Sequence, residues 1–256
     1  MRSTAAEPDS RPPVFLSDPD SLAADVVTLD GPEGRHAATV RRLAAGERVD
    51  LTDGAGLIAE CVVTAAAAGR LELSVLARHS EPRPDPALVV VQALPKGEHG
   101  PLAVDLMTEG GVDVIVPWQA RRCVTRWEGA RGDRALARWR ATAAQAAKQS
   151  RRAWLPEVTG PASTGEVAGR VATASLAVLL DPAAPVALSA LGLPGSGDIL
   201  LIVGPEGGVT PGETAQLTQA GAVPARLGPS VLRASSAGLV AAAVVASRCG
   251  RWGRWG

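Results

Sequence analysis

The stretch "LIVGPEGGVTPGE", residues 201–213, decides the fold. It continues an apolar run, "DILLIV" (198–203), with no polar alternation, which reads as a strand buried on both faces. The run breaks into Gly-Pro-Glu-Gly-Gly. Thr210 followed three residues later by Glu213 then spells a capping box, and Pro211 occupies the first helical position, where its missing N–H costs nothing. A helix is therefore expected from about residue 211, and residues 204–209 form the loop that leaves the strand's carboxyl end. In open α/β sheets ligands bind at that end. Glycines there let main-chain N–H and C=O groups approach a ligand with no Cβ in the way. The loop lacks the Lys-Ser/Thr of a P-loop and does not fit G-x-G-x-x-G, so neither phosphate fingerprint applies. At this level a turn merely shaped by glycine is the alternative.

A second loop has the same form. "RLGPSVLRASSAGL" (226–239) follows a short strand with Gly-Pro and leads into a helix, with Ser235 or Ser236 as the expected cap. Two such loops at the ends of consecutive strands can line one pocket, and Arg233, just before the helix, would stand beside it; a plain surface arginine is the competing reading.

Further out, apolar runs recur at "ALVVVQAL" (87–94), "DVIVP" (113–117), "LAVLLD" (176–181) and "VPARL" (223–227). Helical segments alternate with them: "PLAVDLMTEGG", "DRALARWRATAAQAAKQSRR", "PGETAQLTQAG" and "ASSAGLVAAAVVASR". Buried strands alternating with helices predict a parallel α/β sheet. Upstream, "LARHSEPRPDPA" (76–87) carries three prolines within five residues and reads as a linker. Before it, short strands joined by tight turns, with Asp53-Gly54 as a hairpin signal, predict a small β-rich domain in which only "PEGRHAATVRRL" looks helical. The expected domains are 1–80 and 81–256.

Composition bounds the rest. The 256 residues are 46% hydrophobic, enough for packed cores, and 26 Lys plus Arg balance 26 Asp plus Glu, so overall charge names no partner. Cys61, Cys123 and Cys249 are far apart with no C-x-x-C pair, which argues against a disulfide framework or a zinc site and for a reducing, cytoplasmic setting. No metal is expected. No run of 18 apolar residues occurs, and "MRSTAAEPDSRPP" lacks a leader's apolar core, so no membrane partner is expected.

Charge is uneven along the chain. Residues 121–152 hold ten Lys or Arg and two acids, Glu128 and Asp133. In the helix expected after Asp133, Arg134, Arg138, Gln145, Lys148 and Arg152 trace one face, and Leu136, Trp139, Ala143 and Ala147 trace another that packs. A basic stripe suits a phosphate backbone, whose displaced counterions drive binding; an ordinary solvated face is the plainer reading. Arg121 and Arg122 open the segment, and His36 and Arg42 in the β-rich half can extend the same surface.

"LLIVGPEGGVTPGE" followed by "LGPSVLRASSAGL" resembles the C-terminal signature of the SPOUT methyltransferases, and more narrowly the RsmE type, which methylates N3 of a specific uridine in 16S ribosomal RNA of the small subunit. "HAATVRRL", "KGEHGPLAVDLMTEGGVDVIVPWQARRCV" and "QAAKQSRRAWLPEV" resemble further motifs of that family in the right order. The resemblance implies a small PUA-like β-barrel, an α/β domain with a C-terminal trefoil knot, a homodimer, and S-adenosyl-L-methionine as cofactor. It implies that the cofactor is held by Leu180 and Asp181 at the end of one strand, by Gly204, Pro205, Glu206, Gly207 and Gly208, and by Leu227, Gly228, Val231 and Leu232. Arg233 would be catalytic, stabilising charge on the uracil oxygens. The chain departs from the family's frequent residues at Leu106, Lys148, Ser230 and Ser235, which leaves the general base unassigned. Two alternatives stand beside this: a SPOUT ribose 2′-O-methyltransferase acting on tRNA or rRNA, against which the absence of any Asn speaks, and a non-catalytic RNA-binding factor of ribosome assembly.

Overall fold

The computed structural model describes residues 11–253. Most of "MRSTAAEPDSRPP" therefore lies outside the described residues. The chain forms two compact units: one runs to Arg83 and includes Arg151–Trp154, and the other comprises Pro84–Ser150 and the chain from Leu155 on.

In the first unit, strands β1 (Val14–Leu16), β2 (Val26–Leu29), β3 (Arg48–Thr52), β4 (Leu57–Ala67) and β5 (Arg70–Ser80) form a sheet in the order β1-β3-β4-β5-β2. All its pairings are antiparallel except β1 with β3. Two register shifts in the long β4–β5 hairpin bend it, as bulges do. Phe15, Leu22, Val49, Leu51, Leu71 and Leu73 fill its core. The expected helix of this half is a short α1 (Gly31–Arg35) running into one π-helical turn, His36–Val40. Arg151–Trp154 completes this unit from far along the chain. Ala153 accepts from Gly56 N–H at 3.0 Å, Ala55 and Trp154 form an antiparallel bridge, and the Trp154 indole donates to the Glu81 carbonyl at 3.0 Å.

The second unit alternates as the apolar runs predict: β6 (Ala87–Ala93), α2 (His99–Glu109), β7 (Val114–Trp118), α3 (Gly129–Gln149), β8 (Glu157–Val158), α4 (Thr164–Thr173), β9 (Leu176–Leu180), β10 (Asp198–Val203), α5 (Pro211–Gln219), β11 (Val223–Ala225) and α6 (Ala234–Arg248). The six strands are all parallel, ordered β11-β9-β10-β6-β7-β8. Val90, Val91, Ile115, Val178, Leu201 and Ile202 are buried in one core, as strands covered on both faces require. Helix α2 packs on α3 and α6, and α4 on α5. β8 and α4 were not expected, although Ser163 and Glu166 form a complete capping box for α4.

Three local expectations change. Helix α3 starts at Gly129 and stops at Gln149, because Arg151 takes φ +55°, a left-handed conformation that ends the helix. Arg152 thus lies off the helix face that Arg134, Arg138 and Lys148 share. Neither Ser235 nor Ser236 caps α6: the N-cap is Arg233, whose carbonyl accepts from the N–H groups of Ser236 and Ala237 at 3.0 Å each. The packing face of α3 is as read, with Trp139, Ala143 and Ala147 buried and Leu136 partly buried against the core.

Candidate active site

Adjacent strands β11, β9 and β10 end side by side, and their carboxyl ends open into a pocket of about 660 Å³. The capping box foreseen at Thr210 and Glu213 is formed, so α5 begins at Pro211 and the Gly-Pro loop stays outside the helix. Of the residues the resemblance assigns to a cofactor, Leu180, Asp181, Gly204, Pro205, Glu206, Gly208, Leu227, Gly228, Val231 and Leu232 line this pocket, and so does Arg233. Gly207 does not. It faces the segment after β7: a Cβ on it would stand 3.2 Å from the Arg122 Cβ, and its carbonyl accepts from Arg122 Nη1 at 2.9 Å. The three glycines of the loop therefore have different jobs. Gly208 takes φ +73°, which L side chains rarely adopt, and a Cβ on Gly204 would meet Val209 Cγ2 at 2.7 Å.

Side chains around the loop fix its shape. Glu206 accepts the Lys96 N–H at 3.3 Å, which ties the loop to the chain leaving β6. Glu213 is only 3% exposed, yet it is ionised and well used. One carboxyl oxygen accepts from Arg121 N–H at 2.8 Å and the Thr164 hydroxyl at 3.0 Å; the other accepts from the Thr210 hydroxyl at 2.6 Å and Thr210 N–H at 3.1 Å. Burial alone would raise its pKa, but these donors outweigh burial and hold it below the ordinary value. One carboxylate thus joins the start of α5, the start of α4 and the loop after β7.

Arg233 is exposed, and its guanidinium has no hydrogen bond or ion pair among the described residues. Val231 and Leu232 beside it are also exposed, Val231 to 79%. Four polar pocket residues are not among the expected site residues: His99 at the start of α2, Thr214, and Ser230 and Ser235, two positions of departure from the family pattern. Nothing in the spacing of His99 marks it. It reaches the pocket only because β6 and β10 are neighbours in the sheet.

The residues expected to touch RNA divide into several groups. Arg121 and Arg134 are exposed, and Lys148 is half-buried on α3. Arg138 forms a two-pronged ion pair with Glu98, whose carboxyl the guanidinium holds below its ordinary pKa. Arg122 is engaged with Gly207. In the first unit His36 is half-buried, its ring edge-on to Phe15 at 5.8 Å, whereas Arg42 is exposed with φ +56°. No group of three or more metal-ligating side chains occurs among the described residues, nor any helix long and apolar enough to cross a membrane.

A parallel sheet with a backbone-lined pocket at its carboxyl edge, in a chain that also carries a small β unit, fits an RNA methyltransferase. Residues 82–246 match the family model of the RNA methyltransferase domain, and residues 29–76 that of the RNA methyltransferase PUA domain. The chain is 48% identical over 238 residues to "Ribosomal RNA small subunit methyltransferase E" of Mycobacterium bovis, which covers 91% of this chain and 90% of the relative. It is 28% identical to the Bacillus subtilis protein of the same name over 87% and 90% of the two chains. The crystal structure of ribosomal RNA small subunit methyltransferase E from Neisseria gonorrhoeae bound to S-adenosyl methionine superposes with a TM-score of 0.81 at 26% identity, covering 93% of this chain and 98% of that one. The chain belongs to the ribosomal RNA small subunit methyltransferase E family.

Proposed function

We propose that this enzyme uses S-adenosyl-L-methionine to methylate N3 of one specific uridine of 16S ribosomal RNA in the small subunit, and that it works as a homodimer. The observation that carries the reading is the pocket at the ends of β9, β10 and β11 with Arg233 at its rim, its guanidinium without a partner among the described residues. The pocket suits this cofactor. Its volume of about 660 Å³ lies within the ~300–1,000 Å³ typical of small-molecule sites. Leu179, Val203 and Leu227 offer apolar walls for a flat base, and Asp181 offers acceptors for hydroxyl or ammonium groups. A Cβ on Gly228 would meet nothing within 4 Å, so bare backbone faces the cavity there.

When bound, the cofactor supplies an electrophilic methyl group on a sulfonium. The chain's own residues have three tasks. Backbone and apolar walls fix the orientation of the donor, which turns an encounter into an in-line approach. The exposed Val231 and Leu232 keep water from the bound base. Arg233 meets the negative charge that spreads onto the uracil carbonyl oxygens as N3 loses its proton, and a guanidinium free of partners among the described residues can do so without breaking a bond to them. Glu206 already accepts from Lys96 N–H and serves the loop rather than the proton transfer. Arg121, Arg134 and Lys148 offer a basic face to the RNA backbone, and Arg42 extends the reading to the first unit.

Calorimetric titration of the purified protein with the cofactor, and mass mapping of small-subunit RNA treated with it, test the reading together. The expected product is 3-methyluridine at one site. Arg233→Ala should keep cofactor affinity and lose turnover, with little rescue by Arg233→Lys, because an ammonium cannot present two donors in a fixed plane. A 2′-O-methylated product would overturn the assignment of N3, and full turnover in the alanine variant would remove Arg233 from the chemistry. Sedimentation of the purified enzyme checks the dimer.

A further inference from the structure

Strand β11 pairs with β9 over only three residues at the edge of the sheet. The chain beyond it, Leu227 and Gly228, nevertheless lines the pocket, as do Asp181 and Pro182 beyond β9, and a single further bond, from Asp181 N–H to the Ala225 carbonyl at 3.0 Å, joins the two strand-ends. So short an edge pairing is a weak way to fix the separation of two walls. Arg226 supplies what the pairing lacks.

Its N–H donates to the Val186 carbonyl at 2.9 Å, its own carbonyl accepts from Leu188 N–H at 2.9 Å, and it bridges Ala187 in parallel. The side chain then turns to the same segment: Nη1 donates to the Ala184 carbonyl at 2.9 Å and to the Pro185 carbonyl. One residue thus grips the main chain of residues 184–188 with both backbone and guanidinium. The segment it grips follows the pocket-lining Asp181, whose carbonyl accepts from Ala184 N–H at 3.1 Å, and the residue after Arg226 is the pocket-lining Leu227. Charge-assisted bonds to carbonyls are about twice as strong as neutral ones, and a planar guanidinium fixes direction as well as distance.

We propose that Arg226 is a positioning residue for cofactor binding, which sets the separation between the Asp181–Pro182 wall and the Leu227–Gly228 wall. This rests on the reading of the pocket as the S-adenosyl-L-methionine site. The residue touches neither cofactor nor RNA in this proposal; it acts through the two walls.

The test uses the full-length enzyme with S-adenosyl-L-methionine, by calorimetry and by steady-state kinetics. Losing charge-assisted bonds to two carbonyls should raise the cofactor Kd of Arg226→Ala roughly ten- to hundred-fold. Arg226→Lys keeps the charge and the apolar stem and can reach one carbonyl, so it should fall between wild type and alanine. If the alanine variant fails to fold, the lysine variant carries the test alone. KM for the cofactor should rise while kcat at saturating cofactor and KM for RNA hold, a split that general loss of structure would not give. Wild-type affinity in both variants, or a fall in kcat with KM for the cofactor unchanged, would overturn the role of Arg226. No binding by the wild-type enzyme would instead sink the cofactor reading itself.

Discussion

Replacing Glu213 should test how the site is held together. Glu213→Ala leaves the Arg121 N–H without its carboxylate acceptor and removes half of the α5 capping box. An unsatisfied buried donor costs about 1–3 kcal/mol, and a lost cap about 1 kcal/mol. The bonds from Thr164 and Thr210 go as well, so the expected loss of stability is about 3–5 kcal/mol. Glu213→Gln is milder. Its amide oxygen can still accept from Arg121 N–H and Thr164, but its NH₂ must face Thr210 N–H, donor against donor, at about 1–3 kcal/mol. The pH dependence separates charge from shape. The folded pKa lies below the ordinary 4.5 of an unfolded glutamate, so the native state favours the carboxylate. Its contribution is then fully present above that unfolded value and is lost as pH falls through the folded one. Urea unfolding of wild type and Glu213→Gln should show a gap at neutral pH that narrows as pH falls below the ordinary glutamate value and through the lower folded one. Amide exchange at Arg121 should quicken in the alanine variant. A gap that is absent, or constant with pH, would refute the account of Glu213 as an ionised tie.

Arg251 pairs with Asp113, whose side chain is 7% exposed, and also donates to the Gly111 carbonyl at 3.0 Å. Arg251→Ala should therefore cost about 3–5 kcal/mol in urea unfolding, because it strips a buried carboxylate of its guanidinium. Arg251→Ala with Asp113→Asn should recover part of that. Charge reversal at Arg121 and Arg134 should weaken RNA binding and flatten its salt dependence, read by filter binding at several salt concentrations, with cofactor affinity unchanged. Arg138→Glu should do less, because the Arg138 guanidinium is already committed to Glu98. Gly207→Val should push Arg122 away from the loop at a cost of about 1–3 kcal/mol and weaken cofactor binding, which calorimetry would detect.

The parallel sheet was legible because strands covered on both faces write themselves as unbroken apolar runs, and five of the six strands of the second unit did so. β8 has two residues, too few for any pattern. The start of α5 was legible for a different reason: Thr210, Pro211 and Glu213 satisfy the helix terminus within one turn of sequence. What the same glutamate does for Arg121 and Thr164 was not, since those partners lie 92 and 49 residues away and only the folded sheet brings them near. The pocket loops could be read from Gly-Pro at strand ends, but Gly207 shows the limit. A glycine spared a side chain for a ligand and one spared it for a neighbouring arginine look alike in sequence. The basic stripe was drawn on an ideal helix, and a single left-handed residue, Arg151, took Arg152 off it.

The loan of Arg151–Trp154 to the first unit sets an order on synthesis. As the chain leaves the ribosome from its N-terminus, the first five strands emerge early, but Gly56 N–H and the Glu81 carbonyl wait for Ala153 and Trp154 to arrive. By then β6, α2, β7 and α3 have already been made, while β9, β10 and β11 have not. The small unit therefore cannot finish until residue 154 of the 256 has been made, and a fragment cut at the proline-rich linker would release it without the strand-edge partner that closes Ala55.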